Sequence, residues 1–254
     1  CISSAASDVY KRQIHRTFCG ILQSSVTCQS CQLTTHTHEP FLDVSLQVHA
    51  PGDTDESKKK RHDPKKQKQS IEAPAQTLHA SLLRYCAPEQ LPEASYRCSH
   101  CQKSARATKQ LRLFQLPPVL CIQLKRYEHG LSATKVDTRV QFPFVLDVHE
   151  CCAHTAHGDE SLDPYVYAYD LFTVVVHEGT LTSGHYTNYS KWRGLWYRYD
   201  DDKVTRVSTH QVLEARAYQL FYLRRRLWNQ PGHGIYTNSC LLYTSPSPRD
   251  LSTS

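Results

Sequence analysis

Two groups of residues in this 254-residue chain have the types and spacing for chemistry. The first is a pair of C-x-x-C knuckles, Cys28-Gln29-Ser30-Cys31 and Cys98-Ser99-His100-Cys101. A C-x-x-C turn delivers two thiolates to one metal, and zinc takes four soft ligands in a tetrahedron. Two knuckles therefore complete an all-thiolate zinc site, which is structural because no coordination position stays open. Two redox dithiols, buried thiols or chance are the other readings of the pattern. The long separation means that such a site joins two distant hairpins rather than forming a compact finger. His100 lies inside the second knuckle and competes as a ligand, against adjacent thiolates that should win. The remaining cysteines (Cys1, Cys19, Cys86, Cys121, Cys151, Cys152 and Cys240) share no such spacing and read as buried or free thiols. Metal-bound and unpaired thiols together point to a reducing compartment.

The second group centres on His185, preceded by Ser183-Gly184 and followed by strand-like sequence. Fifteen residues later comes Tyr199-Asp200-Asp201-Asp202, and the midpoint falls at Trp192-Arg193 beside Gly194, a sensible hairpin turn. A turn centred there places Asp200 directly across the ladder from His185, with Cβ atoms about 5 Å apart. A carboxylate so placed fixes the histidine tautomer and stabilises its imidazolium, leaving the other ring nitrogen for a nucleophile. Gly184 lets another backbone approach closely, as a site for an extended peptide needs. A strand histidine beside a charged turn, with no chemical role, fits the same spacing.

The elements that must position these residues are mostly strands. Phe41 to Val48 alternates as a half-buried strand, and Leu111 to Tyr127 is a long apolar stretch broken by Pro117-Pro118. Further strands are expected at Val140–Val148, Tyr169–His177, His185–Trp192, Leu195–Asp200 and Tyr218–Leu223. The clearest helix runs from Gln76 to Cys86, with a cap at Thr77, a stripe of Leu78, Leu82, Leu83 and Cys86, and Pro88 beyond its end. Ser208 with Gln211 forms a capping box for a short helix over Val212 and Leu213. Residues 150–165 read as a surface loop. The expected class is α+β, dominated by antiparallel sheet.

Composition excludes several classes. With 39% hydrophobic and 21% charged residues the chain is neither disordered nor a disulfide scaffold, and no apolar run approaches a membrane span. The net charge is +6, and residues 51–70 contribute half of it through Lys58, Lys59, Lys60, Arg61, Lys65, Lys66 and Lys68. That run, with Pro51-Gly52 and Pro64, reads as a solvated insertion. A nuclear import signal or a nucleic-acid contact is the other reading. Direct nucleic-acid binding is not expected, since no basic recognition helix or aromatic stacking platform accompanies the run. The chain has no methionine, and its Ser/Thr/Pro-rich end carries no periodic pattern.

Several segments together resemble the ubiquitin-specific proteases. Tyr169–Val176, His177-Glu178-Gly179, Ser183-Gly184-His185-Tyr186, Trp196, Asp200-Asp201 and Val204 look like that family's histidine box. Upstream, Phe18–Gly20, Val26–Cys31, Glu39-Pro40-Phe41, Asp43 and Ser45-Leu46 resemble its early segments. The second knuckle, Lys109-Gln110-Leu111, Leu116-Pro117-Pro118, Leu124-Lys125-Arg126-Tyr127 and Phe142-Pro143 follow in family order. The SAGA-module deubiquitinases are the most similar subfamily.

The resemblance implies a papain-like hand, with sheet-rich fingers tipped by the zinc knuckles and a palm carrying His185 and Asp200. It implies hydrolysis of the isopeptide bond after the C-terminal glycine of ubiquitin, with His185 moving protons, Asp200 orienting it and Asp201 helping to hold the site. Ubiquitin, ubiquitinated nuclear or histone proteins and SAGA-type adaptor subunits are the implied partners, and the nucleus the implied compartment, with the cytoplasm open. The expected organisation is a partial catalytic domain at 14–223, covered by the resemblance, with the basic insertion at about 50–72; the composition of the ends adds a tail at 1–13 and a tail at 224–254, both read as non-native adapter or cloning sequence. The family's cysteine box is absent from the sequence, so the chain reads as a fragment without the thumb and nucleophile and inactive alone. A non-catalytic, zinc-containing ubiquitin-binding homologue is the alternative.

Overall fold

The computed structural model describes residues 13–48, 76–128, 134–153, 164–180 and 183–225. The basic insertion and nearly all of both tails lie outside the described residues. Strands β1 (Gly20–Cys28), β2 (Thr34–Phe41), β5 (Glu89–Leu91) and β6 (Ala107–Gln115) form one antiparallel sheet in the order β2-β1-β6-β5. A second, eight-stranded sheet contains β3 (Val44–Gln47), β7 (Val119–Lys125), β11 (Val145–Asp147) and β12 (Ala168–Gly179). Its other members are β13 (Gly184–Trp192), β14 (Leu195–Asp200), β15 (Lys203–Val207) and β16 (Ala217–Arg224). The order is β15-β14-β13-β12-β16-β7-β3, with β11 paired to β12. Two short pairs complete the β structure. They are β4 (Gln76–Thr77) with β10 (Val140–Gln141), and β8 (Tyr127–Glu128) with β9 (Thr134–Lys135).

The core lies on one face of the large sheet. Leu120, Ile122 and Leu124 of β7 alternate onto that face and are fully buried, as period-2 patterning requires. Helix α1 (Leu78–Tyr85) packs into the same cluster through Leu78 and Leu82, one turn apart. Each such leucine contributes roughly 1.5–3 kcal/mol by leaving water. The Thr77 hydroxyl caps α1 by accepting from the Ala80 amide at 3.1 Å. The capping box of α2 (Thr209–Leu213) is complete, with Ser208 and Gln211 bonding reciprocally. Pro117-Pro118 separates β6 from β7, as the sequence predicts.

Arg126 locks the end of β7. It is buried, and its guanidinium donates to the carbonyls of Ala217, Val136 and Thr138 at 2.7–3.0 Å. Burial lowers its pKa, and three carbonyl acceptors offset part of the cost of taking the charge out of water.

Four departures from the sequence reading have physical reasons. Phe41–Val48 is not one strand: Phe41 ends β2, and β3 starts only at Val44. Strands β1, β2, β5 and β15 carry no readable alternation; β2 is exposed along nearly its whole length. Val140–Val148 splits into two short strands on either side of Pro143, which has no amide to donate. The stretch after residue 149 is not surface loop at its start. Cys151 and Cys152 are buried, and Arg112 Nη1 donates to the carbonyls of Glu150 and Cys152 at 3.1 and 3.2 Å, fixing the turn.

Candidate functional site

The two knuckles close into one cluster at the tip of the small sheet. The Cys28, Cys31, Cys98 and Cys101 sulfurs all lie within 4.8 Å of one another. Cys31 Sγ and Cys98 Sγ are 3.6 Å apart. Tetrahedral zinc at a Zn–S distance of about 2.3 Å sets its sulfurs about 3.8 Å apart. The cluster therefore fits a zinc ion with small adjustments. Both knuckles are built alike. In each, the glutamine after the second cysteine adopts positive φ (59° at Gln32, 58° at Gln102), and its amide bonds back to the first cysteine's carbonyl. Each glutamine side chain also donates to the carbonyl of the residue after the first cysteine, Gln29 or Ser99. The shared Cys-x-x-Cys-Gln pattern carried that symmetry in the sequence and went unread. Amide donors at Cys101 and His100 pull the Cys98 thiol down to about 6, which favours the thiolate a metal needs. His100 is exposed and stands outside the cluster.

Cys19 departs from the thiol expected of it, for it is buried and disulfide-bonded. Cys86, Cys121, Cys151 and Cys152 are buried and not disulfide-bonded.

At the other end of the large sheet, β13 and β14 form a hairpin around Arg193 and Gly194, both at positive φ (47° and 83°), as a two-residue primed turn demands. Trp192 pairs with Leu195 and Asn188 with Tyr199. The paired ladder ends there; the same register carried one step further falls on Thr187 and Asp200, so His185 stands on the diagonal, two residues from the direct pairing the sequence reading assumed. A shift of two keeps both side chains on one face. The diagonal of about 7–8 Å is spanned by the imidazole itself. His185 Nε2 meets Asp200 Oδ1 at 2.7 Å, leaving Nδ1 outside that bond.

The hydrogen bond to Asp200 raises the His185 pKa, and the bond to His185 lowers that of Asp200. The Asp201 carboxylate reaches the same group and adds to the rise at His185. Asp201 opens the tight turn between β14 and β15 at φ 51°, a conformation aspartate tolerates better than most residues. Arg198 Nη2 pairs with the second oxygen of Asp200 at 3.1 Å.

The glycine before His185 answers to a side chain more than to a peptide backbone. A Cβ at Gly184 would lie 2.1 Å from His177 Nε2 and 2.8 Å from the Glu178 carbonyl oxygen. His177 is buried, its Nδ1 hydrogen-bonds the Tyr127 hydroxyl, and Lys135 Nζ donates to its carbonyl at 3.1 Å. Burial, with Lys135 nearby, lowers the His177 pKa and keeps its ring neutral. Tyr186 stacks on that ring at 4.5 Å while remaining 56% exposed, and Tyr218 closes the group. The sequence reading missed this aromatic cluster as a unit, although Tyr127, His177 and Tyr186 all fall in the segments it quoted.

The chemistry available is that of a histidine–carboxylate pair with a free ring nitrogen. Among the described residues no thiol joins the His185–Asp200–Asp201 group. Cys121 sits in β7, where burial pushes its thiol up to about 11 and keeps it protonated.

Comparison with known proteins places these features in one frame. The family described as "Ubiquitin carboxyl-terminal hydrolase" matches residues 3–222. Ubiquitin carboxyl-terminal hydrolase 8 of Saccharomyces cerevisiae is 33% identical over 221 residues, covering 84% of this chain and 42% of that protein. Ubiquitin carboxyl-terminal hydrolase 22 of Mus musculus is 36% identical over 228 residues, covering 84% and 43%. Among solved structures, the SAGA Ubp8/Sgf11/Sus1/Sgf73 DUB module bound to ubiquitin aldehyde aligns with a TM-score of 0.67 at 31% identity, covering 85% of this chain and 43% of that one. The same module bound to monoubiquitin gives 0.66 at 32%. The chain spans about a quarter to about a half of the length of the curated relatives it matches.

Proposed function

The chain belongs to the ubiquitin carboxyl-terminal hydrolase family, and on that premise we propose that it is the fingers-and-palm part of a deubiquitinating cysteine protease. The observation that carries this reading is the 2.7 Å contact of His185 Nε2 with Asp200 Oδ1, inside the matched region. In the proposed reaction a cysteine thiol, supplied from outside the His185 group, gives its proton to Nδ1 of His185. The thiolate attacks the carbonyl of ubiquitin's C-terminal glycine, and Nδ1 returns the proton to the departing lysine amine as the isopeptide bond breaks. Water then cleaves the thioester with His185 again as base. Asp200 holds the proton on Nε2 and stabilises the imidazolium. Asp201 lends a second negative charge to the same imidazolium.

Cys28, Cys31, Cys98 and Cys101 would hold a zinc ion whose part is structural, tying the β1 end to the β6 entry. Ubiquitin, SAGA-type adaptors and nuclear substrates are the proposed partners, by likeness to the module whose structures contain ubiquitin. The rival reading is a non-catalytic ubiquitin-binding homologue, which would need no thiol beside His185; among the described residues none joins that group. An intact, ion-paired histidine and aspartate weigh against it, since binding alone needs neither.

The test is reconstitution. The chain alone should not hydrolyse a ubiquitin C-terminal reporter. Joined to an upstream family thumb bearing the cysteine, with adaptors present, it should become active, and His185→Ala should nearly abolish turnover. Activity that survives His185→Ala would end the proposal.

A further inference from the structure

Asp200 has two carboxylate oxygens, and the ladder fixes each to a different partner. Oδ1 takes His185 Nε2 at 2.7 Å, while Oδ2 takes Arg198 Nη2 at 3.1 Å. Arg198 precedes Asp200 by two positions on β14, so period-2 geometry puts both side chains on one face. Its strand pairs on both sides, with Tyr189 of β13 and Thr205 of β15, so the arginine backbone is held from two directions. Both side chains are about one-third exposed, 34% for Arg198 and 30% for Asp200.

A carboxylate tethered at one oxygen in such a site still rotates about its Cβ–Cγ bond and exchanges that contact for water. A second charge-assisted bond to the other oxygen fixes the plane of the group, and with it the direction of the acceptor offered to the imidazole.

We propose that Arg198 is a positioning residue for the reaction, acting through Asp200 to hold the carboxylate plane that orients His185. The proposal rests on the reading of His185 and Asp200 as the catalytic pair. In this role Arg198 acts on Asp200 and not on the reacting atoms. A lysine reaches the same oxygen as a point charge and therefore retains part of the effect.

Two measurements test it. On the chain itself, the His185 Nε2–H proton resonance should be visible in the parent and in Arg198→Lys. It should broaden away in Arg198→Met, with backbone amide shifts unchanged beyond the β13–β15 hairpins. In the reconstituted enzyme, Arg198→Met should lower kcat on the order of tenfold, the scale of one lost charge-assisted bond in a partly exposed site. KM should be unchanged, and Arg198→Lys should recover at least half of the rate. Placed in an Asp200→Ala background, Arg198→Met should have no further effect, which a merely structural role would not produce. A persistent Nε2–H signal in Arg198→Met, equal losses in both backgrounds, or a loss confined to KM would each overturn the proposal. If Asp200→Ala itself leaves turnover intact, the catalytic reading of the pair has failed, and that outcome is separable from failure of Arg198 alone.

Discussion

Gly184→Ala isolates the packing that sets His185. The new methyl would sit 2.1 Å from His177 Nε2, 2.7 Å from His177 Cε1 and 2.8 Å from the Glu178 carbonyl oxygen. Ordinary carbon contacts need about 3.5 Å, so the ring must retreat by more than 1 Å. It has little room to do so. Nδ1 is tied to the Tyr127 hydroxyl, the ring faces Tyr186 and Tyr218, and the carbonyl belongs to the β12 backbone. Overpacking of this kind costs about 1–3 kcal/mol, and each kcal/mol lowers Tm by roughly 2–4 °C in a chain of this size. Thermal unfolding should therefore show a drop of a few degrees or more, and His185 resonances should move with it. His177→Ala should also destabilise, through lost packing and the lost bond to Tyr127. The double variant should be less destabilised than the sum of the two, by about 0.5–3 kcal/mol, because removing the ring relieves the two ring contacts and leaves only that with the Glu178 carbonyl oxygen. Strict additivity, or an unchanged Tm for Gly184→Ala, would refute the packing argument.

Four further outcomes follow from the knuckles, the His185–Asp200 pair and the α2 cap. Metal analysis should find one zinc per chain, and Cys98→Ser should unfold the small-sheet tip, since structural zinc contributes folding free energy directly; four freely titrating thiols in the folded chain would contradict this. Asp200→Ala should lower the His185 pKa towards about 6.5 in an NMR titration, because the hydrogen bond to Asp200 is the main cause of its rise. The pair's stability contribution should accordingly be full between about pH 4 and 6.5, lost as pH rises through the raised His185 pKa, and lost again as pH falls through the depressed Asp200 pKa. A Tm difference between parent and Asp200→Ala that does not shrink at alkaline pH would contradict that sign. Ser208→Ala should cost about 1 kcal/mol by removing one side of the α2 capping box, read as a shift in denaturation midpoint at constant m.

The sequence made the chemistry easier to see than the scaffold, and the register explains why. Turn chemistry at Arg193-Gly194 marked the hairpin, yet the turn lies one residue later than the midpoint of His185 and Asp200, which moves the pairing by two. Because side chains alternate with period two, that error left both residues on one face, and the contact survived it. An error of one would have separated them. The strands of the small sheet were invisible for a related reason. Thr34–Phe41 is solvated along most of its length, so no buried face imposes a pattern on Thr35, His36 and Thr37. What holds it is the antiparallel ladder to β1, from Gly20↔Phe41 to Thr27↔Thr34, ending at Cys28. A strand stabilised by its neighbours and by a knuckle at its tip writes its signal in the cysteines, not in hydrophobic periodicity. Arg198 was missed because an arginine on a half-exposed strand looks like any solvated charge. Only the placement of both Asp200 oxygens, one on His185 and one on Arg198, separates it from the other cations of the hairpin.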